Sequence, residues 1–313
     1  MEPAEPSHPT YLEDAFRADR PALLALSYRL TGSMGEAEEV VQETFVRALE
    51  RPPPRSDLPL RPWLVRVATN LSLDALRRRR RRVGQGPWLP DPVASPDPEA
   101  VPAPEAESPE RRHDLVESVT FAFLLALEAL GPRQRAALVL TDVLDYSARE
   151  AGEVLGLSEG NVRVTLHRAR KALHRHEELR QGPTEEVRHR TRKALEELTR
   201  CLVRHDATGL ASLMAEDARA LTDSGGEYTA LTETLVGRER LARLLLTVAS
   251  RRLAGSTVTH CWANAMPAVL IEFGSSERRQ APCALLRCEL DGDQRIAEIH
   301  VVLGPRKLAH LGL

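Results

Sequence analysis

Apolar residues near the middle of the chain recur at spacings of four, three and four (Val162, Leu166, Ala169, Leu173), the period of a helix with one buried stripe. Just before it, Gly156 stands where a preceding helix must stop, because glycine enters a left-handed cap without steric cost. Ser158 is a good N-cap for the helix that follows. Tyr146 to His174 therefore reads as helix, tight turn, helix. The helical period also appears earlier. Ser33 and Glu36 form a capping box ahead of a helix that buries Ala37, Val40, Val41, Phe45, Ala48 and Leu49. After Arg51-Pro52-Pro53-Pro54, Pro62 suits the first turn of another helix, with an apolar stripe of Leu64, Val67, Ala68, Leu71 and Ala75. Nearer the C-terminus a helix through His205 and a helical stretch at 237–250 give way to strand-like runs at 256–263, 267–273, 281–291 and 295–303. In the third run Ala284, Leu286, Cys288 and Leu290 alternate with Cys283, Leu285, Arg287 and Glu289, and Asp291-Gly292-Asp293 signals a hairpin into the fourth.

These patterns divide the chain into parts: an all-α domain at 11–82, a linker at 83–110, a second all-α domain at 111–179 and an α+β domain at 184–313. The linker holds eight prolines and six acidic residues with no basic one, the composition of an extended connection. Hydrophobic content of 42% supports packed cores, and a net charge of −2 means that any affinity for nucleic acid must come from local patches. No apolar run approaches a membrane span and the first residues lack a signal-peptide core, so the expected location is cytoplasmic with no membrane partner. Cys201, Cys261, Cys283 and Cys288 show no metal-ligand spacing; the expectation is reduced thiols, no metal and no cofactor.

Three surfaces carry candidate chemistry. Opposite its buried stripe the second helix of the turn presents Gly160, Val164, His167, Arg168 and Lys171, flanked by Arg163 and Arg170. A helix of this size fits the major groove, where arginine and lysine meet guanine and phosphate oxygens. The helix after Pro62 presents Trp63, Arg66, Thr69, Asn70 and Asp74 and ends in Arg77 to Arg82, a plausible surface for a polyanion. The helix after Ser33 exposes Glu36, Glu39, Gln42, Glu43 and Arg47, a mostly acidic face.

With both helical domains in view, the chain resembles the extracytoplasmic-function group of bacterial sigma factors. EAEEVVQETFVRAL and RPWLVRVATNLSLDALRRR are similar to that family's region 2, and LGPRQRAALVLTDVLDYSAREAGEVLGLSEGNVRVTLHRARKAL is similar to its region 4. Residues 184–313 resemble the SnoaL-like or NTF2-like α+β cone fused to one subgroup. That subgroup's three motifs stand here as Trp88-Leu89-Pro90-Asp91-Pro92, Asp223-Ser224-Gly225-Gly226-Glu227 and Gly304-Pro305-Arg306-Lys307-Leu308. The resemblance implies two all-α sigma domains plus a regulatory cone, and a protein that binds core RNA polymerase and promoter DNA. It places Glu39, Gln42, Glu43 and Arg47 on the β′ clamp coiled coil and gives region 4 the β flap as a further polymerase contact. It places Arg66, Asn70, Asp74 and Arg77 at the −10 element, with the loop Arg51–Pro59 as pocket for an extruded base. Ser158, Arg163, Val164, His167, Arg168 and Lys171 fall at the −35 element. It also implies regulation in cis, with Asp223, Gly225, Gly226 and Glu227 docking on Trp88, Leu89 and Pro90 in place of a separate anti-sigma factor. Three departures stand out. Gly152 replaces a usual alanine and should weaken its helix by about 1 kcal/mol. Val164 and Thr165 replace Ser and Arg, and Glu227 replaces lysine, which would reverse any charge pairing there.

Two other readings remain open on sequence. The tail could be an enzyme or a sensor holding a small molecule in the cone, with Glu298 and His300 on one strand and His260 on another as candidate acid–base groups. The helix-turn-helix could serve a stand-alone regulator, although no heptad dimerisation helix accompanies it.

Overall fold

Three helices with facing apolar stripes build the N-terminal part: α1 (His8–Thr31), α2 (Met34–Glu50) and α3 (Leu60–Arg81). The computed structural model describes residues 8–50, 60–81, 87–96, 120–173, 183–275 and 277–312. In it the chain forms two units, the first from 8–81 with 122–173 and the second from 87–96 and 120–121 with 183–312. The loop Arg51–Pro59, the linker beyond Pro96 and the expected helical residues 111–119 and 174–179 lie outside the described residues.

In the first unit α2 buries Ala37, Val40, Val41, Phe45 and Ala48, and Phe45 meets Phe16 edge-on at 4.8 Å between ring centroids. Leu49 departs from expectation: it is 62% exposed, one residue round the helix from Ala48 and past the edge of the stripe. Helix α3 buries a broader face than its sequence stripe suggests, with Val65, Thr69, Ser72, Leu73 and Leu76 inside alongside Leu64, Ala68 and Ala75. The cause is packing on two sides, against α1 and α2 and against helices of the second half of this unit. Thr69 is thereby core, not surface.

That second half comprises α4 (Phe121–Leu127), α5 (Pro132–Leu138), a π-turn at Val139–Val143, α6 (Ala148–Leu155) and α7 (Glu159–Ala172). Ser147 caps α6 in a reciprocal box with Glu150, Gly156 ends it at φ 66°, and the Ser158 side chain accepts the Asn161 N–H at the start of α7. Helices α6 and α7 thus form the helix-turn-helix read from sequence.

The second unit is α+β: α8 (Glu185–Arg204), α9 (Ala207–Ser212), β1 (Met214–Asp223), β2 (Leu235–Val236), α10 (Arg238–Arg252), β3 (Thr257–Ala263), β4 (Met266–Glu272), β5 (Cys283–Leu290), β6 (Ile296–Leu303) and α11 (Pro305–Leu308). Its sheet runs β2-β1-β6-β5-β4-β3, with only the β1–β6 pair parallel. One sheet face packs on α8 and α10 through Leu198, Leu202, Leu241, Ile271, Leu286 and Ile299. Between α8 and the sheet, a space lined by Leu198, Leu202, Val258, Val269 and Ile271 leaves about 10 Å³, room for one water at most. The opposite face is buried too, at Leu270, Leu285, Arg287, His300 and Val302, with the Phe121 ring over Arg287 and His300.

Candidate functional site

Helix α7 displays its basic face as the period requires. Val162, Leu166, Ala169 and Leu173 are buried, while Arg163, Val164, His167, Arg168 and Lys171 point outward, Val164 being 51% exposed. Ser158 sits at the N-terminus of this helix as its cap. Arg170 proves structural, because its guanidinium binds buried Asp142 of the π-turn through two of its nitrogens (Nε–Oδ2 3.0 Å, Nη2–Oδ1 2.6 Å). Arg163 pairs with Glu159 at 2.6 Å on an exposed turn, where water keeps such a pair weak and exchangeable.

On α3, Arg66, Asn70, Asp74 and Arg77 are all exposed on one side of the helix, and Arg77 Nη1 lies 2.7 Å from Asp74 Oδ1. On α2, Glu39, Gln42, Glu43 and Arg47 line a groove shared with Val46 and with Leu71 and Ala75 of α3. An apolar floor between polar walls is the composition of a protein-docking surface. The sequence reading missed Val46, which as an apolar residue inside an acidic run carried no surface signal.

The arginine run at the end of α3 is only partly free for polyanions. Arg79 donates to Thr31 O and to Glu128 Oε1 (2.8 Å), and Arg80 donates to Leu130 O. From α5, Arg135 joins them at 1% exposure, donating to Leu30 O (2.8 Å), to Leu127 O (3.1 Å from Nε and 2.7 Å from Nη2) and to Glu128. These guanidiniums bind carbonyls at the C-terminus of α1 (Leu30, Thr31) and at the end of α4 and the turn after it (Leu127, Leu130). Burial brings Arg135 down to about 10, against the pull of Glu128 in the other direction. The two halves of the first unit are therefore joined by a seam of charged hydrogen bonds.

In the second unit the three short motifs meet around one lysine. The Leu89 N–H donates to Asp223 Oδ2 (2.7 Å), and Lys307 Nζ donates to Leu89 O (2.6 Å) and to Asp223 Oδ2. Lys307 Nζ also lies 3.5 Å from Asp91 Oδ1 and 5.2 Å from the centroid of the Trp88 ring. Leu89 is fully buried, Pro90, Asp91 and Pro92 are buried, and Ala94 bridges Ala263 at the end of β3. Residues 87–96 are therefore docked chain, unlike the free linker that their composition suggested. Asp223 Oδ1 accepts the Gly225 N–H (2.8 Å), and Gly225 and Gly226 adopt φ of 60° and 83°. The glycines serve this left-handed turn; nothing crowds Gly226. Close approach occurs at Gly304, where a Cβ would lie 2.3 Å from the Tyr228 ring. Glu227 pairs with Arg306 at 3.2 Å.

Of the candidate acid–base groups of the tail, Glu298 and His300 meet and His260 stands apart. His300 Nε2 and Glu298 Oε2 are 3.2 Å apart, and that bond holds the Glu298 carboxyl below its usual range. His300 is fully buried beneath Phe121, with ring centroids 5.4 Å apart, and His260 is exposed on β3.

Comparison with known proteins agrees with this geometry. The family model for sigma-70 region 2 matches residues 15–82 and that for sigma-70 region 4 matches residues 120–173. The ECF RNA polymerase sigma factor SigJ of Mycobacterium tuberculosis (strain ATCC 25618 / H37Rv) is 32% identical over 238 residues, covering 75% of this chain and 72% of SigJ. SigG of the same organism is 41% identical over 169 residues, 49% of this chain and 45% of SigG. The crystal structure of M. tuberculosis SigJ superposes with a TM-score of 0.69 at 25% identity, over 95% of this chain and 98% of that one. A stand-alone regulator would leave the region 2 match without a role. No helix among the described residues is long and apolar enough to cross a membrane. Both sigma domains, in order and followed by an α+β domain as in SigJ, place the chain in the extracytoplasmic-function family of RNA polymerase sigma factors, which bind core polymerase and direct it to promoters.

Proposed function

We propose that the C-terminal unit governs the sigma core in cis, taking the place of a separate anti-sigma factor, by holding the linker between regions 2 and 4. The observation that carries this is the Lys307 knot, which ties Trp88, Leu89 and Asp91 to Asp223 by backbone and side-chain bonds in buried surroundings. In this reading α7 meets the −35 major groove through Arg163, Val164, His167, Arg168 and Lys171, and α3 meets the −10 element through Arg66, Asn70, Asp74 and Arg77. The α2 groove of Glu39, Gln42, Glu43 and Arg47 receives the polymerase clamp. The size of the first unit supports a need for control. A body of roughly 140 residues has a radius of gyration of about 14 Å and so spans about 40 Å. Promoter elements about 25 base pairs apart are separated by about 85 Å. Both cannot be read at once until the arginine seam opens, and a tethered linker opposes that opening. In this reading the tail acts by binding the linker, and His300 lies buried beneath Phe121.

Run-off transcription with core polymerase tests this, comparing the full chain with one ending near Gly182 on the gene's own upstream region. Truncation should change transcript yield, and Trp88→Ala should change the activity of the full chain while leaving the truncated one unaltered. Equal effects of Trp88→Ala in both chains would sink the docking mechanism.

A further inference from the structure

The seam of the first unit borders a groove that, apart from Arg77, the promoter and polymerase roles leave unexplained. Arg77, Arg80 and Arg81 on the last turns of α3 form one wall, and Pro132, Arg133 and Gln134 at the start of α5 form the other. The groove is shallow and open to solvent, with about 750 Å³ between its walls. Its four arginines are solvent-exposed and no carboxylate lines it. Arg80 spends one nitrogen on Leu130 O, which brings its charge to the α5 side of the seam. Arg79 and Arg80 also repel the charge of buried Arg135, an effect smaller than the attraction of Glu128. Closing α5 against α3 therefore gathers like charges that repel one another, and an anion between the walls would relieve that repulsion.

We propose that this groove binds a short phosphate chain, of the kind carried by a nucleoside di- or triphosphate, and that binding holds α3 and α5 together. Guanidinium forks match phosphate oxygens two at a time, and several arginines along one helical turn suit a chain of phosphates better than a single ion. Because both walls exist together only in the closed unit, the ligand binds that form and not the open one, and linkage shifts the equilibrium towards closure. Binding itself does not depend on the regulatory reading; only its effect on promoter access rests on it.

Inorganic tripolyphosphate titrated calorimetrically into the full chain at constant ionic strength tests the site. Saturable one-to-one binding is expected, weakened about tenfold or more by Arg133→Ala and by Arg81→Ala, with Arg133→Lys retaining part of it. Thermal melting of each variant confirms folding, as Arg81 and Arg133 are exposed side chains. Amide exchange in α5 should slow when tripolyphosphate is present. Binding that is indifferent to both alanine substitutions would overturn the site, and unchanged exchange would overturn the closing action. A duplex of arbitrary sequence that binds with the same Arg133 dependence, where tripolyphosphate does not, would assign the groove to DNA backbone instead and so overturn the proposal. None of these readouts uses transcription or the tail, so they fail or succeed separately from the regulatory reading.

Discussion

Lys307 shows how much of this molecule's behaviour rests on single buried charges. It is nearly enclosed and serves Asp223, Asp91 and the carbonyl of Leu89, so removing it leaves two carboxylates in a low-dielectric site without their cation. Breaking one side of such a group typically costs about 3–5 kcal/mol. Lys307→Met should therefore release the linker before it unfolds the unit, because the cone core lies on the other side of the sheet. The Leu89 amide, which donates to Asp223, is the reporter: its hydrogen exchange should accelerate in the variant while amides of β5 keep their protection. The thiols give a second residue-scale expectation. Burial pushes Cys288 up to about 12 and raises Cys201, Cys261 and Cys283 as well. Only the thiolate reacts with an alkylating reagent. At pH 8 Cys288 should therefore label orders of magnitude more slowly in the folded chain than in denaturant, as peptide mass spectrometry would show.

Among the elements, α6 reverses an expectation drawn from propensity. Glycine within a helix costs about 1 kcal/mol relative to alanine, so Gly152 reads as a weak point. In the structure a Cβ there would lie 2.6 Å from the Leu157 carbonyl oxygen, in the turn that brings α7 against α6. That oxygen is backbone and cannot swing aside as a flexible side chain would. Gly152→Ala should lower the stability of the first unit by about 1–3 kcal/mol despite its better helix propensity, the usual cost of overpacking. Chemical denaturation of the variant measures it, and a gain in stability would show that the turn relaxes. The helix-turn-helix and β3 to β6 were legible because local period and local caps decide them: Gly156, Ser158 and the alternation through Ala284–Leu290 need no tertiary partner. Strand β1 was not legible. Its Met214–Asp223 register shifts between Met214 and Arg219, so Glu216 and Asp217 are exposed in succession and the two-residue period is broken. Arg79, Arg80 and Arg135 were hidden for another reason: an arginine that caps a distant helix is spelled like one that meets solvent or DNA. The Lys307 knot could be suspected from three motifs, but its central cation became evident only with the fold.

At the scale of the whole chain, the proposed mechanism has two restraints acting on one transition, the separation of regions 2 and 4. The seam belongs to the first unit and the knot to the second, so they can be weakened independently. Glu128 accepts from both Arg79 and Arg135, and its charge offsets part of the burial penalty on Arg135. Glu128→Gln keeps the shape and removes the charge, which should weaken the seam by about 2 kcal/mol, or roughly thirtyfold in the equilibrium between closed and open forms. That effect should appear as tighter promoter binding by the polymerase complex, both in the full chain and in one ending near Gly182. Lys307→Met should act in the full chain alone. The double variant then distinguishes two mechanisms. If the tail restrains only the linker, the two effects multiply, as expected for sites without shared partners. If the tail acts by stabilising the seam, Glu128→Gln removes what Lys307→Met would have released, and the double variant should bind no better than Glu128→Gln alone. Promoter affinity of the four full-length forms, measured with the same core polymerase at one salt concentration, decides between them.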